Sequence, residues 1–281
     1  MLGKVCLFYT CLITLLISSQ GLAEVKIAIL DSGCNIEYEA GISFVDNTPA
    51  DVNGHGTAVA QIIRESNPDA KLYIAKTFTA NGRNMDPTPF VKGIYWAISH
   101  QVDMINLSCQ TRRDEKAIHD AIQKACRQGI IVVAAAGNKG DFLDALMDEL
   151  SRRNRNPNIS TGVKYPAKYK EVVAVGAINS FWRFNRHQKY SPIGAEIEFV
   201  CDGSNGSQEG TSFAAARATA IVSRIKADCP DLDGEQLREI LKFYAHDLGD
   251  KGRDPKFGYG KLEYTSQNVM KAPPLTAADT R

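Results

Sequence analysis

Five apolar runs, each separated from the next by a helix-like or loop-like stretch, constrain this chain more than any other feature. Val25-Lys26-Ile27-Ala28-Ile29-Leu30 stops at Asp31-Ser32-Gly33, and Leu72 to Lys76 reads as a second strand. Val102 to Leu107 ends at Ser108, Ile130 to Ala136 ends at Gly137-Asn138, and Glu171 to Ile178 repeats the pattern. Between them, Ala58 to Arg64 and Asp114 to Gln128 have helical spacing. Asp86-Pro87-Thr88-Pro89 reads as a helix start, and Gly129 as the residue just past a helix end. Strands that are apolar throughout, instead of alternating, belong in a sheet covered on both faces. The expected fold is α/β: a three-layer sandwich with a mostly parallel central sheet and helices on both faces. In such a sheet the site lies at the carboxyl ends of the strands. Asp31, Ser108 and Asn138 all fall there.

The first segment stands apart from this pattern. Lys4 precedes an apolar run from Val5 to Ile17, and Gly21-Leu22-Ala23 places small residues where a signal peptidase reads. Residues 1–23 are therefore expected to be a signal peptide, with an uncleaved membrane anchor as the alternative; the run is shorter than the roughly 20 residues of a spanning helix. The expected mature protein is secreted or periplasmic, a domain over 24–270 with a loose tail at 271–281 that lacks periodicity. Asp141 to Ser160, with Arg152, Arg153 and Arg155, reads as a charged surface excursion. The 33 Lys+Arg against 32 Asp+Glu give no basic excess, which argues against nucleic acid as a partner. After signal removal no membrane association is expected.

Export would leave Cys34, Cys109, Cys126, Cys201 and Cys229. Five thiols cannot all pair internally, and the sequence does not say which would. None forms a C-x-x-C pair, so zinc has no support. Cys109 and Cys126 read as small core residues.

Three short motifs carry chemistry. Asp31-Ser32-Gly33, Asn53-Gly54-His55-Gly56-Thr57 and Gly210-Thr211-Ser212-Phe213-Ala214 are each commonplace alone. Together they follow the order Asp, His, Ser, one of the known chain orders of the serine triad. An aspartate at a buried strand end can hold an imidazole. A histidine between glycines is exposed to substrate, and a serine at a helix start keeps a backbone N–H free for an oxyanion. A lipase or esterase is disfavoured because its order differs and no G-x-S-x-G elbow is present.

These blocks resemble the subtilisin-like (subtilase) serine peptidases, from about Val25 to Val269. Ile105-Asn106-Leu107-Ser108 resembles the family's substrate-binding strand, Ala134-Ala135-Ala136-Gly137-Asn138 its oxyanion segment, Tyr165-Pro166-Ala167-Lys168-Tyr169 the segment beyond it, and Gly258-Tyr259-Gly260-Lys261-Leu262 the closing strand. The resemblance implies an endopeptidase that works on protein or peptide substrates through an acyl-enzyme. Ser212 would be the nucleophile, His55 the base, Asp31 the residue orienting it and Asn138 the oxyanion donor. Ser108, Cys109 and Gln110 would form one wall of the pocket for the residue before the scissile bond, and Ala135, Ala136 and Gly137 the other. No cofactor and no metal are implied, the loop of the family's strongest calcium site being absent. A non-catalytic peptide-binding protein on the same fold is the alternative.

The departures matter as well. Ala216-Arg217 replaces a Pro-His pair, Ala58 a second histidine, and Gln110 a glycine. If Gln110 occupies the pocket mouth, small or medium residues are favoured over large aromatics. With only Glu24 between the expected signal and the first strand, a separate folding or inhibitory partner is expected in place of a pro-segment.

Overall fold

The computed structural model describes residues 24–79, 86–111, 113–138, 162–180 and 185–264. The expected signal peptide, the 271–281 tail and the Asp141 to Ser160 excursion lie outside them. Strands β1 (Lys26–Asp31), β2 (Ala40–Ser43), β3 (Lys71–Lys76), β4 (Met104–Leu107), β5 (Ile131–Ala135), β6 (Val173–Asn179), β7 (Arg186–His187) and β8 (Phe199–Asp202) are followed by the hairpin β9 (Ser204–Asn205) and β10 (Gln208–Glu209), then β11 (Ala245–His246) and β12 (Lys261–Leu262). The main sheet runs β2-β3-β1-β4-β5-β6-β8-β12-β11, with β7 paired to β6. Its pairings are parallel except β11–β12 and β6–β7.

The helices are α1 (His55–Ser66), α2 (Pro87–Ser99), α3 (Lys116–Arg127), α4 (Thr211–Asp228) and α5 (Gly234–Tyr244). Strand residues alternate between two separate cores. Ile27, Ile29, Val133 and Ala135 pack with α1, α4 and α5, whereas Ala28, Leu30, Val132 and Ala134 pack with α2 and α3. That is the expected three-layer sandwich, and it explains the unbroken apolar strands. Truncating a wholly buried residue such as Leu30 to alanine would cost about 2–5 kcal/mol. Helix starts follow local chemistry: the Asp86 carboxylate accepts from Thr88 N–H ahead of α2, and Asp233 forms a capping box with Gln236 ahead of α5. Among the described residues, no helix is long and apolar enough to cross a membrane.

Chain order within the sheet sets the site. From β1 the chain passes through α1 to β3 on one side, then through α2 back to β4 on the other side of β1. Crossovers leaving on opposite faces open a crevice at the carboxyl ends of β1 and β4. Asp31 ends β1, and Ser108 directly follows β4. The Ala-rich start of α4, with Ala214, Ala215, Ala216 and Ala218 wholly buried, is slim enough to run close beneath that crevice.

Four of the thiols belong to the core. Cys34, Cys109, Cys126 and Cys201 are free, and burial pushes Cys126 up to about 11 and Cys201 to about 12. Protonated thiols at neutral pH are poor nucleophiles.

Candidate active site

Asp31 is fully buried, and its Oδ1 accepts from Ser32 N–H at 2.7 Å and meets His55 Nδ1 at 2.7 Å. His55 is the first residue of α1, and its ring is part exposed. The Asp31 charge is the main reason that the imidazole pKa lies above its ordinary 6.5, burial opposing it. Phe213 and Phe78 flank the ring, their centroids 5.9 and 6.4 Å away. Gly56 lets the turn close: a Cβ there would lie 2.2 Å from Gly33 O and 3.1 Å from Asp31 Cβ. Any side chain would push the histidine away from its aspartate.

The loop before His55 is built around Asp51, which the sequence motifs did not single out. Its Oδ1 accepts from Ser32 Oγ and from the Asn53 and Gly54 N–H groups. Its Oδ2 accepts from the N–H and hydroxyl of Thr57, in the first turn of α1. Burial alone would raise this carboxyl, but the hydrogen bonds led by Thr57 outweigh it and hold it below the usual range. Asn53 Oδ1 accepts from His55 N–H at 2.8 Å. Behind the loop, buried Lys76 reaches Asp46 Oδ2 at 2.6 Å and Ala50 O at 2.8 Å, tying it to the end of β3. The legible signal was an aspartate and an asparagine spaced to cap a helix through a Gly-His start.

Ser212 is the second residue of α4, where the dipole and open N–H groups favour negative charge. Among the described residues its N–H makes no hydrogen bond. Its hydroxyl donates to Ser108 O at 3.1 Å, and no bond joins it to His55. Such a bond often forms only when substrate binds. Asn138 lies beside it. Thr211 N–H and Thr211 Oγ1 both donate to Asn138 Oδ1 at 3.0 Å, so Nδ2 is the group left to face a reacting oxygen. Thr211 Oγ1 also accepts from Gly137 N–H at 3.2 Å. Thr211 was not among the expected site residues, although it adjoins Ser212.

The two expected pocket walls lie side by side. Ser108 is buried, and Cys109 and Ala136 turn into the α2–α3 core while Ala135 turns into the opposite one. Gln110 crosses the gap: its Oε1 accepts from Asn138 N–H at 2.7 Å. Gly137 has φ +105°, a conformation suited to glycine. A Cβ there would lie 2.5 Å from both Gln110 Oε1 and Lys164 Cγ. Lys164, also missed from the sequence, has its backbone N–H on Ala136 O at 2.9 Å. The described residues contain no cluster of three His, Cys, Asp or Glu suited to a metal ion.

Comparison with known proteins follows the same lines. The model of the subtilase family matches residues 23–260. The chain is 35% identical to the minor extracellular protease Epr of Bacillus subtilis (strain 168), over 89% of this chain but only 39% of that protein. It is 33% identical to subtilisin DY of Bacillus licheniformis, over 85% of this chain and 88% of that one. Among solved structures it shares the fold of a lanthipeptide protease, with TM-score 0.67, 24% identity and 85% of each chain covered. It also shares the fold of an S41 psychrophilic protease, with TM-score 0.70, 21% identity, and 87% and 93% covered.

Proposed function

Because the chain belongs to the subtilase family, we propose that it is an exported serine endopeptidase that cuts protein or peptide substrates through an acyl-enzyme on Ser212. The observation that carries this reading is the 2.7 Å contact of His55 Nδ1 with buried Asp31 at the strand end, with Ser212 and Asn138 gathered at the start of α4. Asp31 keeps the Nδ1 proton in place, so Nε2 is the basic nitrogen. As a peptide binds, its amide N–H takes Ser108 O and the Ser212 hydroxyl turns to His55 Nε2, which accepts its proton during attack. Asn138 Nδ2 and the Ser212 N–H stabilise the oxyanion. The imidazolium then protonates the leaving amine, and water deacylates the enzyme by the same path. No step requires a cofactor.

The unit at 24–270 would be the peptidase domain, released from a signal at 1–23 and followed by a tail at 271–281. Similarity to a protein named as extracellular supports a secreted or periplasmic setting. A fluorophosphonate probe should label wild-type protein at Ser212 and not the Ser212→Ala variant, and peptide hydrolysis should vanish with the label. Labelling without hydrolysis of any peptide would favour a binding protein on this fold. N-terminal sequencing of the exported form tests the signal, since a start well beyond Val25 would remove β1.

A further inference from the structure

We propose that Lys76 is a positioning residue of the reaction: its buried ammonium fixes the strap 46–51 and, through Asp51, sets where His55 stands against Asp31. The inference rests on the peptidase reading and deepens it. Lys76 closes β3, opposite Asp31 in the register of β1 and β3, and the next N–H, that of Thr77, donates to Asp31 O at 2.8 Å. The lysine thus stands in the same sheet frame as the aspartate. His55 does not. It follows a loop, and that loop has to be set against the frame.

The strap is pinned at three consecutive residues. Pro49 O accepts from Cys34 N–H at 2.9 Å, and Ala50 O accepts from Lys76 Nζ at 2.8 Å. Asp51 exchanges two bonds with Asn35: its N–H donates to Asn35 Oδ1 at 3.0 Å, and its O accepts from Asn35 Nδ2 at 2.8 Å. The strap crosses so close to the turn after Asp31 that a Cβ on Gly33 would lie 2.4 Å from Pro49 O. Cys34 and Asn35 lie just beyond that turn, whereas Lys76 reaches the strap from the sheet itself. Its Nζ also meets Asp46 Oδ2 at 2.6 Å, and Asp46 Oδ1 accepts from Ser43 Oγ at 2.6 Å, at the end of β2. One buried cation therefore joins both ends of the strap to the sheet.

A wholly buried lysine is a costly way to hold a fold together. An apolar side chain of its length would fill the same space without desolvating a charge, and exchanging a buried ion pair for apolar residues is often neutral for stability. What an apolar residue cannot do is hold Ala50 O and the Asp46 carboxylate at fixed distances. Ala50 is followed by Asp51, whose carboxylate organises the His55 loop. The Lys76 hydrogen bond is the main reason that the Asp46 carboxyl lies below its ordinary 3.8, so acid titrates His55 before it reaches this tie.

The test compares purified wild type with Lys76→Met on one fluorogenic peptide. Methionine keeps the apolar stem and leaves Ala50 O and Asp46 without the ammonium. kcat should fall about tenfold or more with KM little changed, since a small displacement of a catalytic group is felt in the rate. The charges that raise His55 are those of Asp31, at the end of β1, and Asp51, in the loop; the Phe213 and Phe78 rings beside it carry none. A His55 that drifts from Asp31 should carry the acid limb of kcat/KM to lower pH. Loss of a nearby positive charge with the geometry kept would move that limb to higher pH, so the direction separates the two causes. In a His55→Ala background the same substitution should leave the residual rate unchanged, because Lys76 acts through His55. Asp46→Ala should reproduce the loss in part, and Asp46→Asn, which keeps a neutral acceptor, should retain most of the rate. Urea unfolding reports that each variant is folded. Where Lys76→Met is not, Asp46→Ala decides, a wild-type kcat and acid limb in it overturning the proposal. The same holds for a wild-type kcat and limb in folded Lys76→Met, a limb moved to higher pH, or an equal loss with and without His55. A wild type neither active nor labelled by fluorophosphonate refutes the peptidase reading itself, and this inference with it.

Discussion

Ser108 and Ser212 hold each other by crossed hydrogen bonds: Ser108 Oγ donates to Ser212 O at 3.0 Å, and Ser212 Oγ donates to Ser108 O at 3.1 Å. The pair ends a buried chain in which Thr219 Oγ1 donates to Asn106 Oδ1 and Asn106 Nδ2 donates to Ser108 Oγ, both at 2.9 Å. β4 and α4 are thus joined by side chains at the point where the proposed nucleophile, Ser212, sits. In Ser108→Ala, Asn106 Nδ2 loses its acceptor in a site closed to water. We expect a loss of about 1–3 kcal/mol in urea unfolding, the cost of a buried group left unpaired. An unchanged midpoint would show that the chain is not holding α4 in place.

The proposed oxyanion donor, Asn138, depends on its neighbour Thr211. Asn138→Ala should lower kcat by about 10²–10³, the loss that removal of the corresponding donor causes in subtilisin. Thr211→Val keeps the shape but removes the hydroxyl that bonds Asn138 Oδ1 and Gly137 N–H. It should lower kcat by about tenfold, one hydrogen bond's worth, with KM little changed. The double variant should be no slower than Asn138→Ala alone, because Thr211 acts through Asn138. Additive losses in a kinetic double-mutant cycle would refute that coupling.

Activity should fall on acidification through one ionisation above 6.5. His55 must be neutral to accept the Ser212 proton, and the Asp31 charge favours the protonated ring. Asp31→Asn removes that charge, so the acid limb of kcat/KM should move to lower pH even as the rate drops by several orders, the imidazole having lost the partner that fixes its tautomer. A limb left where it was would mean that another group controls the profile.

Asp51 should be as sensitive as the residues it supports. Asp51→Asn leaves NH₂ where an acceptor is needed, facing N–H or O–H donors. A stability loss of about 1–3 kcal/mol at neutral pH is expected, with kcat falling as the His55 loop loosens. The sign with pH is set by its depressed pKa: the stabilisation is full above the ordinary 3.8 and is lost as pH falls through the folded value. The gap in unfolding free energy between wild type and variant should therefore shrink at strongly acid pH. A constant gap would contradict the hydrogen-bond account.

Much of this was legible in the order of the residues. The apolar runs that became β1, β3, β4, β5 and β6 announced a sheet buried on both faces, because only such a sheet tolerates unbroken Ile, Val and Ala. The placements of Asp31, His55 and Ser212, at a strand end, a glycine-flanked turn and a helix start, were legible because short-range backbone chemistry writes those settings into adjacent residues. Asp51 was nearly legible for the same reason, its partners Asn53, Gly54 and Thr57 lying within six residues of it.

What the sequence alone could not decide was how residues far apart in the chain divide one small space. Gln110 offered two equally acceptable orientations, and only the N–H of Asn138, 28 residues away, selects between them. Lys164 reads as an ordinary polar residue until the ends of β4 and β5 are set side by side and segment 163–165 is bonded across them. A side chain's own sequence neighbours fix its backbone conformation, so the positions proposed as catalytic stood out in the sequence. Which distant segments meet is decided by the tertiary structure: parallel pairing sets the ends of β4 and β5 side by side, and an antiparallel bridge from Tyr165 to Thr111 brings segment 163–165 against them.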